Sequence, residues 1–185
     1  MTLTAPSARP ARAARPRRLH RVVVGLAAAT LLVAPGCAAG ASADAGPTTA
    51  TAHAGAEVTF GTPFEYADGL LVDVTAPARF TPTAQAEWDR AVPGVLVRVR
   101  VSITNGTDAE FRPNTLIATA VSGGQDAVAV LDPGSQIGQT GPDAAVPAGG
   151  SVAFPLAFLV QDPADVRLTV EPALGGYEPL VLTVG

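Results

Sequence analysis

From residue 57 onward, apolar and polar side chains alternate with a period of two. The clearest stretch is Val95–Asn105, where Val95, Val97, Val99, Val101 and Ile103 alternate with Leu96, Arg98, Arg100, Ser102 and Thr104. A strand with valines on one side and arginines on the other buries one face and wets the other. That habit belongs to antiparallel sheets, since parallel strands are usually covered on both faces. Asn105-Gly106 then supplies a tight-turn signal. Residues 70–76 repeat the pattern with Leu70, Val72, Val74 and Ala76 on one face. Residues 115–121 and 127–131 flank the Gly-containing turn 122–126 and read as a hairpin. Ser151–Val160 aligns Val152, Phe154, Leu156, Phe158 and Val160. Its Pro155 has no N–H for a ladder, which predicts an edge strand or a bulge. With residues 57–60, 166–171 and 180–184, the count reaches seven or eight strands. The expected fold is all-β, an antiparallel β-sandwich of immunoglobulin-like type.

One segment departs from the alternation. Ala84, Trp88 and Val92 fall at i, i+4 and i+8, so residues 82–92 predict a short helix or helical turn. Trp88, the one tryptophan, is expected to cap an open end of the sandwich, with a contact to a partner as the competing role. Residues 132–150 form a long loop rich in Gly, Pro and Asp, a candidate functional surface.

Charge divides the chain. Six arginines and no acid precede Cys37; six arginines and all sixteen acids follow it, and there is no lysine. The first part is an arginine-rich region to Arg21, then an apolar run of twelve residues from Val22 to Val33, then Ala34-Pro35-Gly36-Cys37. A run of that length suits a signal peptide and is too short for an ordinary membrane-spanning helix. Residues 1–36 are therefore expected to be an export leader, and nothing basic enough for nucleic acid follows it. Residues 37–56 are expected to be a tether of Ala, Gly, Ser, Thr and Pro that cannot offset the entropy of ordering. Residues 57–185 are expected to be the sandwich domain.

The Gly36-Cys37 ending resembles the lipobox of bacterial lipoproteins, although Ala34 and Pro35 depart from its usual pattern. The resemblance implies a diacylglyceryl group on the Cys37 sulfur, cleavage before it and attachment to the membrane. Ordinary signal-peptidase cleavage at Ala41-Ser42-Ala43, giving a secreted protein, is the alternative. The runs VLVRVRVSITNGTDAEFRPN and VPAGGSVAFPLAFLVQDPADVRLTVEP are similar to signatures of the telokin-like, immunoglobulin-fold domains of lipoproteins from Gram-positive bacteria. Secreted mycobacterial antigens have a related sandwich. The resemblance implies a fold and a location and carries over no catalytic residue.

The remaining residues narrow the chemistry. His20 lies in the leader and His53 in the tether, so the expected sandwich holds no imidazole for a Ser-His-Asp apparatus or for a zinc site. No cofactor is expected, and the domain is expected not to be an enzyme. Asp126, Asp132 and Asp143 around the long loop read as turn-forming acids, with calcium as the alternative. Asn105-Gly106-Thr107 fits a glycosylation sequon but is explained by its turn. Arg98 and Arg100, on the wet face of the longest strand, are candidate partner contacts along with Trp88. The expected function is a membrane-anchored binding module for a protein or envelope polymer, the alternative a small-ligand or calcium binder using residues 132–150.

Overall fold

The computed structural model describes residues 52–185; the leader, Cys37 and the tether to residue 51 lie outside the described residues. The strands are β1 (Glu57–Thr59), β2 (Phe64–Glu65), β3 (Leu70–Val74), β4 (Ala78–Arg79), β5 (Val95–Asn105), β6 (Leu116–Ser122), β7 (Gln125–Asp126), β8 (Val128–Ala129), β9 (Ser151–Val160), β10 (Val166–Pro172) and β11 (Leu180–Thr183). They form two sheets, one ordered β1-β11-β10-β6-β7 and the other β2-β3-β5-β9-β8, with β4 also paired to β5. The fold is the all-β sandwich that the alternation predicts. The eleven strands exceed the seven or eight expected because β2, β4, β7 and β8 are two residues long, too short for a periodic signal.

Alternation dictates the core. Val97, Val99, Val101 and Ile103 of β5 turn inward and join Phe154, Leu156, Phe158 and Val160 of β9. Leu116 and Ala120 of β6, with Leu168 and Val170 of β10, close the same cluster from the other sheet. Burying a side chain of this kind is worth roughly 1.5–3 kcal/mol against leaving it in water.

A second apolar cluster sits on the outer face of the β5–β9 sheet. Ala157 and Leu159 alternate with the inward residues of β9 and pack with Val130, Ile137, Leu96, Phe80, Trp88 and Val92. Trp88 therefore covers a sheet face and does not cap an end. Residues 82–92 are turns and an isolated bridge, not a helix: Glu87 exchanges two backbone hydrogen bonds with Leu131. The helical spacing of Ala84, Trp88 and Val92 is overridden by this tertiary pairing.

Three other expectations change. The hairpin after β6 is real only to Ala127, whose N–H donates to the Ala120 carbonyl; from Val128 the chain crosses to pair with β9. Pro155 lies on a strand flanked on both sides, yet its N–H deficit is harmless. The Val130 N–H donates to the Ala157 carbonyl, so residues 151, 153, 155 and 157 aim their backbone toward the β8 side. There β8 pairs only with Phe158 and Leu159, leaving Pro155 at a local open edge.

Ordered pairing also starts before Glu57. His53 bridges Tyr177 in parallel, and the Val181 N–H donates to the Ala56 carbonyl. This strap runs into β1, which pairs in parallel with β11, the one parallel ladder among the described strands.

Candidate functional site

The open half of the β5–β9 outer face holds Arg98 and Arg100. Its shape comes from an interruption in the neighbouring edge. Strand β3 pairs with β5 up to Val74↔Val101, and β4 rejoins at Ala78↔Arg98. Between them, the Thr75 N–H donates to the Arg100 carbonyl, and the Arg100 N–H donates to Thr75 Oγ1 at 2.9 Å in place of a ladder bond. Residues 75–77 belong to neither strand, and a recess of about 490 Å³ opens here, lined by Thr75, Ala78, Arg98, Arg100, Gln136 and Pro155. A second recess of about 310 Å³, lined by Gln136, Thr140, Pro142, Asp143, Phe154 and Pro155, adjoins it. Gln136 and Pro155 line both, so the two recesses meet there as one open trough.

The far rim is braced from below. Asp132 is fully buried, which the turn-forming reading of that acid did not anticipate. Its carboxylate accepts from the Thr83 N–H at 2.9 Å, from the Thr83 hydroxyl and from the Ser135 hydroxyl at 2.9 Å. Burial pushes this carboxyl up, but the bonds from Thr83 and Ser135 outweigh burial and hold it below the ordinary range. Asp132 and Ile137 exchange two backbone bonds of 3.0 Å, and Ile137 is buried in the second cluster. Gln136 is held between them at φ 57°, a left-handed conformation costing a non-glycine residue about 1 kcal/mol. The rest of the 132–150 loop is pinned too: Val146 lies in the main core and exchanges two backbone bonds with Phe111.

Of the residues the sequence singles out, Arg98, Arg100 and Trp88 share one sheet face but divide its roles. Trp88 is half-buried in the second cluster, with the Arg90 guanidinium 4.2 Å above its ring. Arg98 and Arg100 are exposed, and neither forms an ion pair among the described residues. Their cross-strand neighbours are Ala78 and Ala157 for Arg98, and Pro155 for Arg100. Asp73 lies two positions along the same edge, opposite Ser102, with a buried Oδ1 that has no hydrogen-bond partner.

A different cluster, unanticipated from the sequence, gathers where the strap docks. His53 stacks on Tyr177 at 4.8 Å, and Tyr66 meets Tyr177 edge-on at 4.9 Å. Tyr177 Oη donates to Asp68 Oδ2 at 2.5 Å, and His53 Nε2 lies 3.8 Å from that same oxygen. Burial raises the Tyr177 phenol, and its bond to Asp68 raises it further. Burial also pushes Tyr66 up to about 12, helped by the charges of Glu171 and Asp68. The premise that the sandwich holds no imidazole is thus overturned. His53 and Asp68 line a groove of about 470 Å³ together with Thr107 and Thr115. Both hydroxyls are engaged elsewhere, Thr107 donating to Asn105 Oδ1 at 2.7 Å and Thr115 to the Arg112 carbonyl at 2.7 Å. Neither is held as a nucleophile for the histidine. Among the described residues, no three His, Cys, Asp or Glu side chains converge as a metal cage.

The fold and the trough define a β-sandwich with an open, cationic recess on one face. The fold is similar to that of the yjhA protein from Bacillus subtilis, with a TM-score of 0.55 at 11% identity over 69% of this chain and 99% of that one. MPT63, a secreted protein from Mycobacterium tuberculosis, aligns with a TM-score of 0.49 at 16% identity over 70% of this chain and 96% of its own. No protein-family model matches the chain, and no curated protein matches it in sequence. At these identities the first likeness speaks to the sandwich fold and not to chemistry.

Proposed function

We propose that this protein is an exported lipoprotein, anchored through Cys37, whose β-sandwich is a non-catalytic binding module for a partner in the cell envelope. One observation carries the binding reading: two exposed arginines without acid partners among the described residues line an open trough. Export and anchoring are supported by the arginine-rich start, the twelve-residue apolar run and the Gly36-Cys37 ending. The similarity to telokin-like lipoprotein domains points the same way. A tether of nineteen residues between Cys37 and Glu57 would span roughly 20–25 Å as a flexible coil. The ordered strap from His53 takes a few residues from that reach.

A non-catalytic role is supported by the engaged Thr107 and Thr115 hydroxyls beside His53. The calcium reading loses support because both Asp132 oxygens are taken by Thr83 and Ser135, and Asp143 Oδ1 accepts from Asn114 at 3.2 Å.

Intact-mass analysis of detergent-extracted protein tests the anchor. The expected species begins at Cys37 and carries a diacylglyceryl group; a mature N-terminus beyond Cys37 would overturn it. Cross-linking on intact cells tests the module, with an envelope component expected on the wild-type chain and lost from an Arg98→Gln, Arg100→Gln double variant.

A further inference from the structure

The trough also carries information about what it holds. Arg98 and Arg100 stand two positions apart on one face of β5, so their stems are spaced by about 6.7 Å along the strand. Each guanidinium presents a planar fork suited to a carboxylate or a phosphate. The remainder of the trough is neutral or hydroxyl-bearing for most of its length, with Thr75, Gln136 and Thr140 along it and Asp143 at the far end. Thr75 Oγ1 accepts from the Arg100 N–H, which leaves its own proton for a ligand. The side-chain amide of Gln136 has no hydrogen bond among the described residues, while its backbone is fixed between the braced Ser135 and the buried Ile137.

Three features of the molecule narrow the ligand. The two recesses, about 490 and 310 Å³, are open and adjoin at Gln136 and Pro155, which suits an extended ligand more than a compact one. The described residues hold six arginines against fifteen acids, a field that repels any densely charged polyanion. A peptide docking by strand addition would need a free strand edge. The open edge of β9 is short, Pro155 offers no N–H there, and Asp143 faces the far end of the trough.

We propose that this trough binds an acidic glycan, a hydroxyl-rich sugar chain with carboxylate or phosphate groups at intervals, with Arg98 and Arg100 taking successive anionic groups and Thr75, Gln136 and Thr140 facing the sugar hydroxyls. The proposal rests on the binding-module reading and names its ligand class. The floor is made of β5 and β9, so little ordering is required of the protein when the chain lies down.

Calorimetric titration of the full chain in detergent tests it. Hyaluronan oligosaccharides present carboxylates on an otherwise neutral chain, and phosphomannan oligosaccharides present phosphates. A neutral glucan oligomer and a glutamate oligopeptide are the controls. At least one acidic glycan is expected to bind, more weakly as salt is raised, and neither control is expected to do so. Arg98→Gln with Arg100→Gln should weaken binding by about tenfold or more. Ala78→Glu, which sets an acid opposite Arg98 at an exposed position, should weaken it comparably with an unchanged thermal midpoint. Unaltered binding in both variants, binding of the glutamate peptide as tight as that of the glycans, or no binding of either acidic glycan would each overturn the proposal. A partner still captured by cross-linking in that last case would sink the ligand class and leave the binding-module reading standing.

Discussion

Asp132 and Asn105 are the two side chains whose burial most constrains the loops. Asn105 is fully buried: its amide nitrogen donates to the Ala109 and Val146 carbonyls at 2.8 and 2.9 Å, and its oxygen accepts from Thr107. A sugar on that nitrogen would break this hub, so the sequon at 105–107 is a structural asparagine. Asp132 ties segment 83 to segment 135. Removing its charge leaves the Thr83 and Ser135 donors poorly matched, and bonds to a charged group are worth about 1.5–3 kcal/mol. Asp132→Asn is expected to lower the urea unfolding midpoint of the domain at neutral pH. The folded carboxyl titrates below its ordinary value of 3.8, so its contribution is complete above that value and is lost as pH falls through the folded one. The gap between wild type and Asp132→Asn should therefore close in acid. A gap that stays constant with pH would mean that the carboxylate charge plays no part.

At the scale of elements, the strap at residues 53–56 is the added edge of a sheet that the sequence presents as a spacer. Its low complexity conceals one steric requirement. A Cβ on Gly55 would lie 2.0 Å from the Pro179 carbonyl oxygen, so the strap approaches β11 closely only because that residue is glycine. Gly55→Ala is expected to detach the strap while the central ladders persist. Hydrogen exchange reads this directly: the amides of His53 and Glu178, bonded to Gly176 and His53 at 2.8 Å, should exchange about tenfold faster or more, with Leu168 unaffected. Unchanged exchange at the first two would show that the edge absorbs the extra carbon. The crossing at Ala127–Val128 is a second feature of this scale. A five-residue apolar run can serve either sheet, and its local pattern is the same in both.

For the whole molecule, the −4 of the full sequence averages a basic start and an acidic remainder. From residue 37 onward there are six arginines and sixteen acids, so this part of the chain is strongly acidic, while Arg98 and Arg100 stand on one sheet face without acid partners among the described residues. Anionic lipid repels such a body. A chain beginning at Cys37 but made without lipid is expected to remain in the supernatant with vesicles of anionic lipid, even at low salt. Sedimentation with the vesicles would mean that the arginine face outweighs the total charge, and the trough would then point at the membrane.

The sequence by itself determined the strands that exceed four residues, the faces they bury, the sandwich class and the wet position of Arg98 and Arg100. These follow from an alternation that each strand carries within itself, because successive side chains point to opposite faces of any sheet. Only the tertiary structure decided which strands are neighbours, and everything that depends on neighbours was decided with it. Tyr177 meets Asp68 across 109 residues, and Thr83 meets Asp132 across 49. The arginines stand over a trough because β3 and β4 part at Thr75 and β8 stops short of Pro155, each an accident of pairing with no periodic trace. Local pattern selects a face. Partner choice across the sheets, a non-local matter of packing, makes that face a site.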